Sequence, residues 1–105
     1  MHRLLVLYPE PTDRAAFIDY YTKSHLPLAE QLPGMLSWDY SVDVSADADG
    51  NTPYFAVFQA EFPDKDTFAS AMASQVGQDV AADVSNYATG GAVIIDFAIS
   101  GGEDS

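Results

Sequence analysis

The 105-residue chain predicts an α+β domain with the element order β-α-β-β-α-β, ferredoxin-like in plan. Three observations carry this expectation. Residues 35–44 and 54–62 read as strands, and a polar stretch separates them. One helical stripe precedes this pair and another follows it. Short apolar runs, at 4–8 and 92–99, open and close the series. The expected architecture is a four-stranded antiparallel sheet with two helices on one face, and one domain spanning residues 1–100.

The elements follow in order. The first strand, 4–8, ends where Pro9 and Pro11 break it. Thr12 or Asp13 can cap the first helix. Phe17, Tyr21, His25 and Leu28 then share one helical stripe, with Tyr20 and Ser24 beside it. Pro27 predicts a break near His25 and Leu26, because the residue before a proline resists helical dihedrals. A short helical turn should run on to Leu32, and Pro33-Gly34 marks a turn. In 35–44, Leu36, Trp38, Tyr40, Val42 and Val44 take one face, while Ser37, Asp39, Ser41 and Asp43 take the other. Asp49-Gly50-Asn51 lies in the hairpin loop. After 54–62, Asp64 caps a second helix with Phe68 and Met72 four residues apart. Residues 74–77 interrupt it, and Val76, Val80, Val84 and Tyr87 continue the stripe. Thr89-Gly90-Gly91 leads into 92–99, and 101–105 is an acidic tail expected to fray.

The sheet carries an unusual demand. Leu5 and Leu7 oppose Leu4 and Val6; Phe55 and Val57 oppose Ala56 and Phe58. Val93, Ile95 and Phe97 oppose Ala92, Ile94 and Ala98. A sheet that is apolar on both faces must be covered on both. Two helices cover one, so a second copy packed sheet to sheet is the expected cover for the other, giving a homodimer.

Composition excludes several partners. Sixteen acidic and four basic residues give a net charge of −12. Four cations cannot neutralise a run of phosphates or hold an anionic membrane, so neither nucleic acid nor membrane is an expected partner. With no cysteine, disulfides and thiolate metal sites are excluded. No apolar run is long enough for an export signal, so a cytoplasmic location is the expectation. Asp47-Ala48-Asp49-Gly50-Asn51 fails as a calcium loop, since its glycine falls at the wrong position and Phe58 stands where the closing glutamate belongs.

The run Tyr20-Tyr21-Thr22-Lys23-Ser24-His25-Leu26-Pro27-Leu28, with Leu32-Pro33-Gly34, resembles the EthD family, named for an ethyl tert-butyl ether degradation protein. Ala71-Met72-Ala73-Ser74-Gln75-Val76-Gly77, then Asp83, Tyr87 and Gly90-Gly91, resembles that family's second signature. Gln75 stands where proline is common and Tyr87 where phenylalanine is common. The resemblance implies a dimeric α+β barrel. Related barrels include cofactor-free monooxygenases, polyketide cyclases, lactone isomerases and haem-degrading enzymes.

His25 is the first candidate for chemistry, as an acid or base beside the proline break. The competing reading is that it only caps free carbonyls there. Tyr21, one turn earlier, is the expected hydroxyl partner. Phe17, Tyr20, Trp38, Tyr40, Phe58 and Tyr87 are candidates to line a site for a planar apolar ligand, though their spacing equally suits a core. Asp83, which matches the family's aspartate, can bond a backbone donor or orient His25. Asp96, set in an apolar strand, is expected to pair with Arg3 on the neighbouring strand. His2 has no positional argument for function. No cofactor or metal is expected, and haem bound through His25 is a remaining alternative. The function that follows is proton-transfer chemistry on a small apolar or aromatic molecule, of oxygenase, isomerase or cyclase type. The alternative is a binding or accessory protein serving a partner oxygenase.

Overall fold

The order expected from hydrophobic periodicity is present in a computed structural model, which describes residues 1–100; the tail at 101–105 lies outside them. The strands are β1 (His2–Tyr8), β2 (Ser37–Ser41), β3 (Ala56–Phe62) and β4 (Val93–Ala98). Between β1 and β2 lie α1 (Arg14–Tyr20), a π-helical turn (Tyr21–His25) and α2 (Leu26–Ala29). Between β3 and β4 lie α3 (Lys65–Ala73), α4 (Gln75–Asp83) and a 3-10 turn (Val84–Asn86). The sheet order is β2-β3-β1-β4, and every pair is antiparallel. No described helix is long and apolar enough to cross a membrane.

Register assigns the faces. Leu4 sits opposite Ala60 on one side and Asp96 on the other; Val6 sits opposite Phe58 and Ile94. Residues directly opposite in an antiparallel pair share a face. His2, Leu4, Val6 and Tyr8, with Ala56, Phe58, Ala60 and Phe62, therefore form the floor beneath the helices, and all eight are buried. Phe17, Tyr21, Leu26, Ala29 and Leu32 descend onto this floor from the first helical segment, and Ala71 and Val80 from the second.

The same register overturns the expected Arg3–Asp96 pair. Arg3 faces away from the helices, opposite Phe97 and Glu61, and it pairs with Glu61. Asp96 is on the helix face, where its Oδ2 lies 2.7 Å from His2 Nε2. A shift of one residue changes face in a strand, so adjacency of strands alone could not choose the partner. His2, which the sequence marked as bland, is a buried residue with its ring 5.3 Å from that of Phe68.

Local chemistry explains the element ends. Asp13 caps α1 by accepting from the Ala16 amide, and Asp64 caps α3 by accepting from the Thr67 amide. Ser74 ends α3 with an extended backbone and caps α4 through the Gly77 amide. β2 is shorter than 35–44, because the Ser41 hydroxyl takes the Asp43 amide and diverts the chain.

Pro27 does not break the first helix. Leu26 keeps helical dihedrals (φ −61°, ψ −43°), and its amide bonds the Tyr21 carbonyl five residues back. One wide turn thus takes up the proline, which sits in the first turn of α2, where a missing N–H costs little. Such π turns recur at functional sites.

Gly77 sets the corner between α3 and α4. A Cβ there would lie 2.2 Å from the Ala71 carbonyl oxygen and 2.6 Å from the Met72 Cα. Those atoms are backbone and cannot swing aside. We expect Gly77→Ala to lower unfolding stability by about 2–3 kcal/mol, the cost of overpacking a rigid contact. Urea denaturation followed by circular dichroism measures it, and an unchanged midpoint would contradict the close packing of this corner.

Candidate active site

The site begins at the π turn. Its extra width carries Tyr21 and His25 on the inner side of the helix, and both are buried. Their rings stack at 5.6 Å with 14° between planes. Tyr87, arriving after the 3-10 turn, places its ring 4.6 Å from that of His25. These two aromatic contacts hold the imidazole between the first helical segment and the second.

A carboxylate fixes its orientation. Asp83, the last residue of α4, places Oδ2 2.9 Å from His25 Nδ1. Its other oxygen, Oδ1, accepts from the Tyr20 hydroxyl at 2.6 Å and from the Asn86 side-chain amide at 2.8 Å. Burial alone would raise the Asp83 pKa. Hydrogen bonds from Tyr20, Asn86 and His25 outweigh it and hold the carboxyl below its ordinary range. Asp83 is therefore ionised at neutral pH and only accepts hydrogen bonds, so Nδ1 carries the imidazole hydrogen. Burial pushes the His25 pKa below 6.5, and Asp83 opposes the shift without cancelling it. The resting imidazole is neutral. Its Nε2 keeps a lone pair and makes no hydrogen bond within the described residues.

His25 borders a cavity between the helices and the sheet, with about 50 Å³ open to the centre of a water molecule. That space is small but holds more than one solvent-sized group. Apart from His25 and Tyr8, every lining side chain is hydrocarbon or thioether. Leu4, Val6 and Phe58 form the floor, Met72 and Val80 the roof, and Ile94 the side wall toward β4. Ile94 is 53% exposed, so that wall is also the side that faces solvent.

The candidates from the sequence divide accordingly. His25 and Phe58 line the cavity. Asp83 bonds His25, and Tyr20 bonds Asp83 rather than facing the cavity. Tyr87 packs on His25 and exchanges a 2.6 Å hydrogen bond with Tyr8. Tyr21 stacks on His25 but does not line the cavity; its buried hydroxyl has no hydrogen-bond partner among the described residues. Burial pushes the pKa of the Tyr8, Tyr21 and Tyr87 phenols above the ordinary tyrosine value. Phe17 belongs to the core beside Phe55, and Trp38 and Tyr40 stack on each other along β2, away from the cavity.

The sequence reading missed Tyr8, Asn86, Met72 and Ile94. Asn86 lies three residues after Asp83, a spacing that puts two side chains on one side of a helical turn. Tyr8 continues the alternation of Leu4 and Val6 and was legible as floor, though not as a neighbour of Tyr87. Among the described residues no group of three or more His, Asp or Glu side chains stands ready to hold a metal ion.

Comparison with known proteins bears on the family and the fold. The EthD domain model matches residues 9–91. An uncharacterized 11.0 kDa protein from the thcB-thcC intergenic region of Rhodococcus erythropolis is 36% identical over 96 residues, covering 90% of this chain and 91% of that one. An EthD family protein of Bacillus halodurans superposes with a TM-score of 0.88 at 22% identity, over 95% of this chain and 99% of the other. A dimeric ferredoxin-like protein of Thermobifida fusca gives 0.71 at 17%, over 93% and 90%. SnoaB, a cofactor-independent oxygenase from Streptomyces nogalater, gives 0.68 at 15%, over 99% and 97%. The last three likenesses speak to fold. The matched family model, the R. erythropolis relative and the α+β architecture together place this chain in the EthD domain family.

Proposed function

We propose that this protein acts on a small apolar or aromatic organic molecule held between its helices and its sheet, by proton transfer at His25. One observation carries the reading: a neutral imidazole, oriented by an ionised carboxylate 2.9 Å away, borders an otherwise apolar cavity. A base that must accept and return a proton works best when its charged state is neither free nor forbidden. Burial lowers the cost of leaving Nε2 unprotonated, and Asp83 stabilises the imidazolium once it forms. Oxygenation, isomerisation and cyclisation of a weakly acidic carbon or hydroxyl all begin with that step. Tyr20 and Asn86 act through Asp83, by keeping its Oδ2 aimed at Nδ1.

The assembly belongs to the same proposal. On the sheet face away from the helices, Leu5, Leu7 and Val57 adjoin Val93, Ile95 and Phe97, and the last three are all exposed. A patch of this kind on a single chain marks a contact surface. A homodimer joined through these faces would cover it, with the net charge of −12 held in the solvated shell.

Three outcomes test the proposal. Activated phenols, anthrones and lactones should include a compound that the protein converts. His25→Ala should slow that conversion on the order of 10²–10⁴-fold, the usual contribution of a positioned base. Binding without turnover in either form would favour a ligand-binding or accessory role. Tyr20→Phe removes a donor from Asp83 and concentrates charge on the oxygen facing His25. The His25 pKa should then rise, read from imidazole chemical shifts against pH, and an unchanged or lowered value would contradict this role for Tyr20. Finally, sedimentation should give twice the 11.3 kDa chain mass at micromolar concentration, and Leu5→Glu should shift the protein toward monomer.

A further inference from the structure

We infer that the ligand of the His25 cavity is an uncharged weak acid: a compact apolar body bearing one hydrogen-bond donor, and not a carboxylate, phosphate or coenzyme ester. The inference rests on the His25 reading above and narrows it to a substrate class.

The cations are all elsewhere. The chain has four lysines and arginines. Arg3 pairs with Glu61 on the sheet face turned away from the helices. Arg14 pairs with Glu10 and Lys23 with Asp19, each exposed along the first helical segment. Lys65 opens α3 on the surface. None of them lines the cavity. An anion entering it would lose its water and meet no positive partner, and an unpaired charge in an apolar site is costly.

His25 does not supply the missing charge. Its Nδ1 hydrogen already serves Asp83, and the imidazole is held in its neutral form. Protonating it to greet an anion would have to overcome the burial that keeps it neutral. The net charge of −12 works in the same direction at longer range, since it disfavours the approach of anions.

His25 is the lining residue with an unfilled acceptor, because its Nε2 makes no hydrogen bond among the described residues. Nε2 offers a lone pair, so the matching group on the ligand is a donor: a hydroxyl, an enol, an N–H or an activated C–H. Apart from the Tyr8 hydroxyl, which shares a hydrogen bond with Tyr87, the other lining groups ask for carbon. The cavity of about 50 Å³ has room for the polar end and a few carbons. The rest of a six-membered ring would press against Met72, whose unbranched side chain adapts, and lean on Ile94 at the exposed side.

Three probes of similar body separate the possibilities at pH 7: phenol (neutral donor), benzoate (anion) and toluene (no donor). Each is titrated into the wild-type protein labelled with nitrogen-15. The His25 Nε2 resonance is followed alongside the binding isotherm. Phenol should move that resonance and bind at least about tenfold more tightly than benzoate, with toluene weaker than phenol. Benzoate or toluene matching phenol would overturn the inference, as would phenol that leaves Nε2 unmoved. Turnover measured in parallel keeps the two proposals apart. An anionic substrate converted through His25 would sink this inference and spare the proton-transfer reading. Phenol binding at Nε2, with no neutral weak acid ever converted, would do the reverse.

Discussion

The Asp83 carboxylate ties the helical layer together. One oxygen holds His25 and the other holds Tyr20 and Asn86, so a single half-buried group joins the π turn, α1 and the segment after α4. Its position depends on two long excursions of chain meeting above β1. If α4 ended one residue earlier or later, the carboxylate would rotate about a hundred degrees away from the imidazole. The caps at Asp64 and Ser74 and the tight corner at Gly77 fix where α4 begins and therefore where it ends. The geometry of the candidate site is thus set in large part by residues that never touch it.

The sheet supplies a second constraint through its register. One face of β1 and β3 is floor for the helices, and the cavity lies against that floor. β4 is different: all six of its residues are exposed, because it is an outer strand that the helices leave largely uncovered. This arrangement has two consequences on opposite faces. On the helix side, Ile94 stands at the open flank of the cavity. On the other side, Val93, Ile95 and Phe97 are exposed. The cavity flank and this apolar patch therefore draw on alternate residues of one strand, and a change at one need not disturb the other.

Polarity in the site is sparse, and most of it gathers on Asp83. Asp83 is satisfied three times over, and its neighbours hold it ionised. His25 is left with one free nitrogen, toward which a ligand would have to present its donor. The Tyr8 and Tyr87 hydroxyls share one hydrogen bond.

Much of this was legible in the residues themselves. Alternation in 35–44 and the apolar runs at 4–8 and 54–62 marked strands, and side chains of helical spacing marked the inward stripe that carries Tyr21 and His25. Asp13, Asp64 and the Pro33-Gly34 turn marked element boundaries through local hydrogen bonding. All of these signals act over a few residues, which is why they can be read in order along a chain. The partners of charged and polar groups could not be read that way. Tyr20 was expected at a ligand and instead supports a carboxylate 63 positions away. Asp96 was expected with Arg3 and instead meets His2, since a one-residue register decides which face it takes. Pro27 was expected to break a helix that a π turn kept whole, because packing of Leu26 and Ala29 into the core rewards continuity more than proline penalises it. The sequence by itself determined the elements and their apolar faces, since those follow from local periodicity. Only the tertiary structure decided which polar atoms meet, because a hydrogen bond between distant residues depends on register and helix phase to within an ångström.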